Sequence, residues 1–241
     1  VEEVVRRICA LDLDLEVILV DDASQDGTAE ALERARARHS CVAPVVRHEQ
    51  NRGKGAAVRS GLSVATGEVV LIQDADLELD PEQILDLVAP IRAGTAQVVY
   101  GSRFLTGERR GSWLGYLANR ALTGLPNLLF GLGITDMETC YKAFRAELVP
   151  HLRLTAERFE IEPELTAELA RVAGRIHEVP VRYRPRTRRE GKKIGWRDGW
   201  QAVRMMVRKW RERGPIGAPG ITGAHGPARR QGEGRDANSR K

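Results

Sequence analysis

The sequence has few cysteines, few aromatic residues and no long apolar run. Its three cysteines, at positions 9, 41 and 140, form no C-x-x-C pair, so the spacing indicates neither a disulfide framework nor a zinc site. No apolar segment approaches the length that spans a bilayer, and the charged amphipathic start VEEVVRRICALD is unlike a secretory signal. These absences predict a protein of a reducing, cytoplasmic compartment, either free or lying on a membrane surface.

The length of 241 residues suits one large α/β domain with a substantial core. Residues 214–241 are rich in glycine and proline and show no hydrophobic period, which is typical of a disordered tail. We therefore divide the chain into a main domain over residues 1–196, an amphipathic helix over 197–213 and a disordered basic tail over 214–241.

Charge is distributed unevenly along the chain, although the formal net charge is only +5. Counted from Lys, Arg, Asp and Glu, residues 1–181 carry about −8, residues 182–213 about +10 and residues 214–241 about +3. This asymmetry predicts that an anionic partner binds near the carboxyl end.

Strand and helix patterns alternate through the main domain. Apolar runs bounded by turn residues predict strands over 16–20, 42–49, 68–72 and 96–103, with helices over 1–12, 28–39, 54–65 and 82–92. This alternation predicts a mostly parallel twisted sheet with helices on both faces. An open sheet of this kind normally begins with a strand, so we expect the first strand and its loop to be missing from this sequence.

Two carboxylates one residue apart follow the predicted strand at 68–72. Because side chains alternate along a strand, Asp74 and Asp76 leave the sheet edge on the same side, and Glu78 continues the spacing. Carboxylate oxygens suit a hard divalent cation that carries a diphosphate. A solvated acidic turn is the alternative interpretation.

Other polar residues also fall at the carboxyl ends of predicted strands, where ligands bind in sheets of this class. Asp21 and Asp22 end the strand at 16–20, and Arg103 ends the strand at 96–103. Polar residues at three strand ends are harder to explain as solvated turns than polar residues at one.

Six motifs in a fixed order together resemble the inverting family-two glycosyltransferases. They are VDDASQDGT (20–28), NRGKGAAVRSGL (51–62), DADLELDPE (74–82), GSRF (101–104), TDMETCYKAF (135–144) and EVPVRYRPRTRREGKKIGW (178–196). Within that family the chain is most similar to the polyprenyl-phosphate branch of the dolichol-phosphate mannose synthase type, over roughly residues 1–212. Family members usually open with a strand and a P-x-Y-N-E loop that touches the nucleotide base, and this piece is absent here.

The resemblance implies a single-domain type-A glycosyltransferase fold, with residues 1–196 as the catalytic domain. It also implies transfer of a hexose, with inversion, from a GDP- or UDP-sugar to a polyprenyl phosphate, assisted by Mg2+ or Mn2+. Partners are then the nucleotide sugar, the lipid phosphate and the cytoplasmic face of a membrane, and not nucleic acid.

Site residues follow from the resemblance by position. Nucleotide contacts are implied for Asp21, Asp22, Gly53, Lys54 and Asp74. Metal ligands are implied to be Asp74 and Asp76 with help from Glu78. Phosphate contacts are implied for Arg103, Arg186, Lys192 and Lys193, the last three in a flap expected to close over the diphosphate. Catalytic positions are implied to be Asp76, Arg103, Asp136 and Glu138.

Several of these residues have a plain structural alternative. Helix capping is the alternative for Asp21 and for the pair Asp136 and Glu138, which we interpret as orienting the sugar or the acceptor, since a phosphate acceptor is already anionic. Glu160 and Glu162 open a predicted helix and are interpreted first as carboxylates that favour its dipole.

Two segments predict contact with a lipid acceptor. The helix over 197–213 places Trp200, Val203, Met206, Val207 and Trp210 at helical spacing beside many arginines, which is typical of a helix at an anionic membrane interface. The alternative is a core helix with a solvated face. The apolar segment 113–133, interrupted by Gly124 and Pro126, is either a membrane-facing lip or two buried helices.

Other functions compete with lipid glycosylation. A family-two enzyme with a soluble acceptor, such as a phosphorylated small acid, would keep the same donor site. A basic nucleic-acid-binding module would use the segment 182–213, but it has few aromatics and no recognised reader motif. A receiver-like signalling domain would not need the second carboxylate pair.

Overall fold

The computed structural model describes residues 1–105, 113–184 and 196–212. Helices are α1 Glu2–Cys9, α2 Thr28–Arg38, α3 Lys54–Val64, α4 Ile84–Arg92, α5 Trp113–Phe130, α6 Ile161–Ala173 and α7 Trp196–Glu212. Strands are β1 Val20–Asp21, β2 Val46–Arg47, β3 Val69–Ile72, β4 Val98–Ser102, β5 Lys142–Arg145 and β6 His177–Pro180. Pro81–Gln83 and Ala146–His151 form 3₁₀ turns.

The strands form two sheets. β1 and β2 pair in parallel, and a single bridge between Val17 and Val42 extends this pairing towards the predicted start of the strand. The other four strands lie in the order β3-β5-β4-β6. β5 is antiparallel to both of its neighbours, whereas β4 and β6 are parallel.

The antiparallel β5 departs from the expectation of a mostly parallel sheet. After α5, the chain returns to the carboxyl end of β4, where Asp136 bonds to Arg103. β5 begins a few residues later and therefore runs back along β4. The prediction of helices on both faces is confirmed, because β4 sends Val98 and Tyr100 into a core with α5, α6 and α7, and Val99 into a core with α1 and α4.

α7 is both a core helix and an exposed one. Met206 is fully buried, whereas Trp200 is 67% exposed and Trp210 48% exposed. Of the five residues predicted to form one interfacial stripe, Met206 lies in the core instead, at the edge of the stripe about 120° from Trp200 and about 40° from Trp210 at 3.6 residues per turn. The buried Lys209 anchors α7 to α6, with its Nζ 3.1 Å from a carboxylate oxygen of Glu164.

α5 is one continuous helix with Pro126 inside it, not two. Trp113, Leu117 and Leu128 on one side are 57%, 44% and 82% exposed. α5 packs against α7, so the exposed apolar side chains of both helices lie on the same face of the sheet. None of the described helices combines the length and apolar character needed to cross a bilayer.

One expectation about the cysteines is wrong. Cys9 at the end of α1 is bonded to Cys41 after α2, with the Cα atoms 6.4 Å apart. The pair is distant in sequence and is brought together because α1 packs against α2 through Val5 and Ala35. Cys140 is a buried free thiol.

Candidate active site

The carboxyl ends of β1 and β3 meet at the first turn of α3. Asp22, after β1, accepts a hydrogen bond from the backbone N–H of Gly53 at 2.7 Å. Asp74, after β3, lies 2.8 Å from Nζ of the next residue, Lys54. Because Gly53 and Lys54 are adjacent, the two strand ends lie side by side and their polar residues converge, as predicted for a ligand-binding edge.

Asp22 holds this edge together through internal contacts. Its carboxylate accepts from the backbone N–H groups of Arg52 and Gly53 and lies 2.7 Å from Nδ1 of His48. Burial raises the pKa of Asp22, but these hydrogen bonds outweigh it and lower the pKa. Asp21 caps the turn after β1. Both aspartates therefore shape the end of the strand.

Two glycines allow the start of α3 to pack directly on the segment that precedes α6. A Cβ at Gly53 would lie 2.5 Å from the carbonyl oxygen of Glu157, and one at Gly55 would lie 2.3 Å from that of Ala156. Gly53 also has a φ of +92°, which favours glycine. The backbone at Gly53 thus lies close to that of Glu157.

A chain of alternating charges runs inward from the end of β3. Lys54 lies 2.8 Å from Asp74 and 2.8 Å from Glu162 at the start of α6. Glu162 also pairs with Lys142 of β5, whose side chain is completely buried. Lys142 in turn donates to the backbone carbonyl of Met137 at 2.9 Å.

Opposite charges in this chain keep Glu162 and Lys54 ionised. Burial raises the pKa of Glu162, but Lys142 and Lys54 outweigh it and lower the pKa to about 2. Burial lowers the pKa of Lys54, but Glu162 and Asp74 more than reverse this and raise it. The network therefore fixes Lys54, and through it Asp74, with charged hydrogen bonds inside the protein.

Sequence reasoning missed the part played by Glu162. Its position in the first turn of α6 matches the helix-dipole interpretation, but that interpretation does not include the two lysines. One signal was present, since Lys142 stands among apolar residues in a strand and a buried lysine needs an acidic partner. The sequence alone did not identify which carboxylate is the partner of Lys142.

Asp76 and Glu78 lie beyond Asp74 in the same loop. The backbone N–H of Glu78 donates to Asp76 at 3.0 Å, and the hydroxyl of Tyr183 donates to the Glu78 carboxylate at 3.3 Å. Asp74, Asp76 and Glu78 do not gather into one cluster, and the described part of the chain holds no group of three potential metal ligands.

The donor set nevertheless fits Mg2+ or Mn2+. Asp74 and Asp76 offer hard carboxylate oxygens at a strand end, and the Asp74 side chain remains 39% exposed. Magnesium is commonly held by one or two carboxylates that are completed by substrate phosphates and water, rather than by a full protein cage. A pair of carboxylates is therefore sufficient on the protein side.

Arg103 and Asp136 form a bidentate pair at the end of β4. The Nε and Nη2 atoms of Arg103 lie 2.7 and 2.8 Å from the two carboxylate oxygens of Asp136, which has no exposed surface. Burial lowers the pKa of Arg103, but Asp136 outweighs it and raises the pKa. The guanidinium carbon also lies 5.1 Å from the centre of the Tyr183 ring. Asp136 thus fixes a permanently charged guanidinium.

Glu178 of β6 secures the loop that carries Asp136. Its carboxylate accepts hydrogen bonds from the backbone N–H groups of Thr135 and Asp136 at 2.8 and 3.0 Å. Burial raises the pKa of Glu178 despite these bonds. No local sequence pattern indicates this contact, because it depends on the pairing of β6 with β4.

Glu138 differs from its neighbours because its charge is poorly balanced. One carboxylate oxygen is buried without a hydrogen-bond partner among the described residues. Burial and the nearby Glu162 raise the pKa of Glu138 to about 7, against the opposing effects of Lys142 and Arg103. Glu138 is therefore able to change its protonation near neutral pH.

The predicted flap residues Arg186, Lys192 and Lys193 lie outside the described residues, as does the tail over 214–241.

Sequence comparison identifies relatives of this chain. The model of glycosyl transferase family 2 matches residues 1–153. An undecaprenyl-phosphate 4-deoxy-4-formamido-L-arabinose transferase of Edwardsiella ictaluri is 31% identical over 190 residues, which are 78% of this chain and 56% of that protein. An undecaprenyl-phosphate mannosyltransferase of Micrococcus luteus is 32% identical over 203 residues, covering 81% of this chain and 82% of its own. The chain thus spans little more than half of the first relative.

Solved structures share the fold. Mannosyl-3-phosphoglycerate synthase from Rubrobacter xylanophilus aligns with a TM-score of 0.69 at 20% identity, over 94% of this chain and 74% of its own. Glucosyl-3-phosphoglycerate synthase from Mycobacterium tuberculosis, solved with Mn2+, UDP and glucosyl-3-phosphoglycerate, aligns with a TM-score of 0.66 at 23% identity, over 87% and 75%. These likenesses confirm the predicted type-A glycosyltransferase fold.

Proposed function

Because this chain belongs to glycosyl transferase family 2, we propose that it transfers a hexose from a nucleoside diphosphate sugar to a polyprenyl phosphate, with inversion at the anomeric carbon. One observation carries the choice of acceptor. Two relatives, 31% and 32% identical, are both named as undecaprenyl-phosphate sugar transferases.

The donor diphosphate binds at the end of β3 in this proposal. Asp74 and Asp76 would hold Mg2+ or Mn2+, and Lys54 supplies a fixed positive charge beside Asp74. When bound, the ion supplies Lewis-acid stabilisation of the leaving nucleotide. Asp21, Asp22 and Gly53 form the neighbouring edge, on the side where the nucleoside would lie.

Arg103 is proposed to bind the acceptor or donor phosphate. Arginine presents a planar fork to phosphate, and Asp136 holds this one in a single orientation. Asp136 is then a positioning residue that acts through Arg103. A phosphate monoester has a second pKa of about 6, so the acceptor oxygen is already anionic near neutral pH and needs no strong base. We place Glu138 beside the sugar or acceptor, as an orienting group.

The segment containing Arg186, Lys192 and Lys193 remains a predicted flap over the diphosphate. Its dense positive charge complements the donor phosphates.

We further propose that the protein meets its lipid acceptor at the cytoplasmic face of a membrane, as a peripheral protein. The exposed tryptophans of α7, Trp200 and Trp210, and the exposed Leu128 of α5 lie on one face of the sheet. Exposed Arg204 and Arg211 accompany them. Apolar side chains bordered by basic ones are the composition of an interfacial surface.

Calorimetry of nucleotide binding tests the donor half of the proposal. We expect wild type to bind UDP or GDP with Mn2+ more tightly than without it. The double variant Asp74→Asn and Asp76→Asn keeps the side-chain shape and removes the charge, so it should lose that metal dependence. Asp86→Asn, an exposed change on α4, is the control and should behave as wild type. Unchanged metal-dependent affinity in the double variant refutes the assignment.

A soluble phosphorylated acid is the second candidate acceptor. Solved structures of the Mycobacterium tuberculosis enzyme contain UDP-glucose and phosphoglyceric acid, and they share the fold of this chain at 22% identity. The donor site would be the same for both acceptors, so only the solubility of the product separates the two functions.

A further inference from the structure

His48 follows β2 and is hydrogen-bonded on both sides of its ring. Its Nδ1 atom lies 2.7 Å from Oδ1 of Asp22, which follows β1, and its Nε2 atom lies 2.8 Å from Oγ of Ser60 in α3. The backbone N–H of His48 also donates to the carbonyl of Asp21 at 2.9 Å. The side chain is only 5% exposed. His48 therefore joins β1, β2 and α3 beside the edge where the nucleoside is proposed to lie.

The charge of Asp22 sets the direction of these hydrogen bonds. Burial raises the pKa of Asp22, but its hydrogen bonds outweigh burial and lower the pKa, so this group is a carboxylate near neutral pH and can only accept. The proton of His48 that faces Asp22 is therefore on Nδ1. In the neutral ring Nε2 then accepts the hydroxyl hydrogen of Ser60. The donors run in one direction, from Ser60 through His48 to Asp22.

Serine, histidine and a carboxylate are bonded in the same order in the triad of serine hydrolases. The position of Ser60 favours a different role. Ser60 lies in the middle of α3, where backbone N–H groups are bonded within the helix, whereas a nucleophilic serine needs unbonded N–H groups beside it to stabilise an oxyanion. Ser60 therefore holds the ring of His48 and is not placed to react.

Asp22 has one acceptor position left for a ligand. Its Oδ1 atom accepts from His48 and from the backbone N–H of Arg52 at 2.8 Å, and its Oδ2 atom accepts from the backbone N–H of Gly53 at 2.7 Å. A carboxylate offers roughly four acceptor positions, so the bonds to described residues leave one position, on Oδ2. The side chain is 18% exposed, which leaves room for a single N–H or O–H group of a ligand.

We propose that His48 is a positioning residue for the nucleoside, and that it acts by holding Asp22 in the orientation that presents Oδ2. This inference rests on the proposed function, in which Asp22 lies beside the nucleoside. The two backbone donors to Asp22 are adjacent residues of one loop, whereas His48 supplies a third donor from the end of β2. Ser60 keeps the ring from turning. Supporting hydrogen bonds of this kind fix the geometry of a functional side chain.

Loss of the bond from His48 should affect binding of the donor and not the chemical step. The nucleoside takes no part in the bonds that form and break, so its contacts are equal in the ground state and the transition state. The KM for the nucleotide sugar should therefore rise, while kcat stays close to that of wild type. A general loss of folded protein would instead lower the apparent kcat and leave the KM unchanged.

Two substitutions separate the two sides of the ring. In His48→Asn the amide nitrogen replaces Nδ1, because both atoms are attached to Cγ, so the bond to Asp22 is kept and the bond to Ser60 is lost. In His48→Gln the amide nitrogen lies one bond farther out and replaces Nε2, so the bond to Ser60 is kept and the bond to Asp22 is lost. His151→Gln changes an exposed histidine and is the control.

Calorimetry with UDP and GDP in the presence of Mn2+ measures the effect on nucleotide affinity. We expect His48→Gln to weaken the affinity about ten-fold, the effect of one hydrogen bond to a charged group. His48→Asn should stay within about three-fold of wild type, and His151→Gln should bind as wild type does. Equal losses in the Asn and Gln variants, or unchanged affinity in His48→Gln, would overturn the proposal.

Hydrogen exchange without any ligand tests the same inference independently of the proposed function. The backbone N–H groups of Arg52 and Gly53 are bonded to Asp22, so their exchange reports its orientation. Exchange should be faster in His48→Gln than in wild type and nearly unchanged in His48→Asn. Ser60→Ala keeps the bond to Asp22 and is the milder change, so it should give an intermediate rate even if His48→Gln does not fold.

The two measurements separate the possible failures. Exchange as slow as in wild type in both His48→Gln and Ser60→Ala would refute the positioning role. If wild type binds neither nucleotide while exchange changes as expected, the donor assignment is wrong and the role of His48 in orienting Asp22 stands.

Discussion

Charged side chains in the site have partners of opposite charge, and Glu138 is the exception. Arg103 is matched by Asp136, and Lys54 by Asp74 and Glu162, so each keeps its charge although it is largely enclosed. Glu138 has no comparable partner among the described residues, and its pKa rises to about 7. A carboxyl group of this kind makes the folded protein sensitive to pH in a range where ordinary carboxylates do not titrate.

The change Glu138→Gln should stabilise the protein at pH 8 and not at pH 4. With a folded pKa of about 7 against an ordinary 4.5, the folded state retains a proton that the unfolded state has released. The stabilising effect is complete below pH 4.5 and is lost as pH rises through 7, because ionisation of the buried group is unfavourable. Gln stays neutral and avoids this loss, which is at most about 3 kcal/mol.

Denaturant unfolding of both proteins between pH 4 and pH 8 checks this expectation. The difference in unfolding free energy between variant and wild type should grow with pH and level off above about 7. A difference that stays constant over that range would contradict the raised pKa.

Individual residues of the site differ in how well the sequence predicts them. Asp74, Asp76 and Arg103 were predictable as strand-end residues because alternation and apolar runs locate the ends of strands. The partners of Lys54 were not, because α6 and β5 lie far along the chain and only their packing brings Glu162 and Lys142 to it. The ligand roles of these residues stay predictions.

Elements are joined at the site by the buried chain of charges. Lys54 begins α3, Glu162 lies in the first turn of α6 and Lys142 begins β5, so a single carboxylate links three elements. Removing one member of a buried ionic group leaves the others uncompensated. The orientation of Lys54 beside Asp74 therefore depends on Glu162, a residue that the ligand need not touch.

The change Glu162→Gln should lower the free energy of unfolding by about 3–5 kcal/mol, since Lys142 then keeps a buried charge without its partner. Glu157→Gln is the control, because Glu157 is exposed just before the same helix and no ion pair is described for it, and the change should have a much smaller effect. Urea unfolding at pH 7 measures both. Equal effects of the two changes would show that the ionic network contributes nothing specific.

At the scale of elements, helix positions were predicted better than strand direction. α2 and α3 match the predicted helices within one residue, because 3.6-residue periodicity and glycine boundaries are local signals. β5 runs antiparallel, and the Cys9–Cys41 bond joins segments that are separate in sequence. Both depend on how the chain returns after a helix, which no local pattern records.

The whole molecule has two unlike faces. α4 and α1 cover one face of the sheet, while α5 and α7 cover the other and carry Leu128 and Trp200, the most exposed large apolar side chains among the described residues. The exposed Arg204 and Arg211 also lie on α7. An anionic membrane should therefore bind the molecule by the α5 and α7 face, with an affinity that falls as salt rises.

Vesicle co-sedimentation tests this orientation. Leu128→Ser on α5 should weaken partitioning into anionic vesicles roughly ten-fold, the effect of losing one buried leucine side chain. Leu85→Ser, an exposed leucine on α4 across the sheet, should leave it unchanged. The double change Trp200→Ala and Trp210→Ala should weaken it further. Equal loss from Leu128→Ser and Leu85→Ser would rule out a specific membrane face.

The most direct measurement is transfer of radiolabelled hexose from UDP- and GDP-sugars, with Mn2+, to undecaprenyl phosphate and to 3-phosphoglycerate offered in parallel. We expect label in the organic phase, dependent on undecaprenyl phosphate and abolished by Asp74→Asn with Asp76→Asn, and no labelled phosphoglycerate. Asp86→Asn should transfer as wild type does. Label that appears only in the water-soluble product would contradict the assignment of a polyprenyl phosphate acceptor.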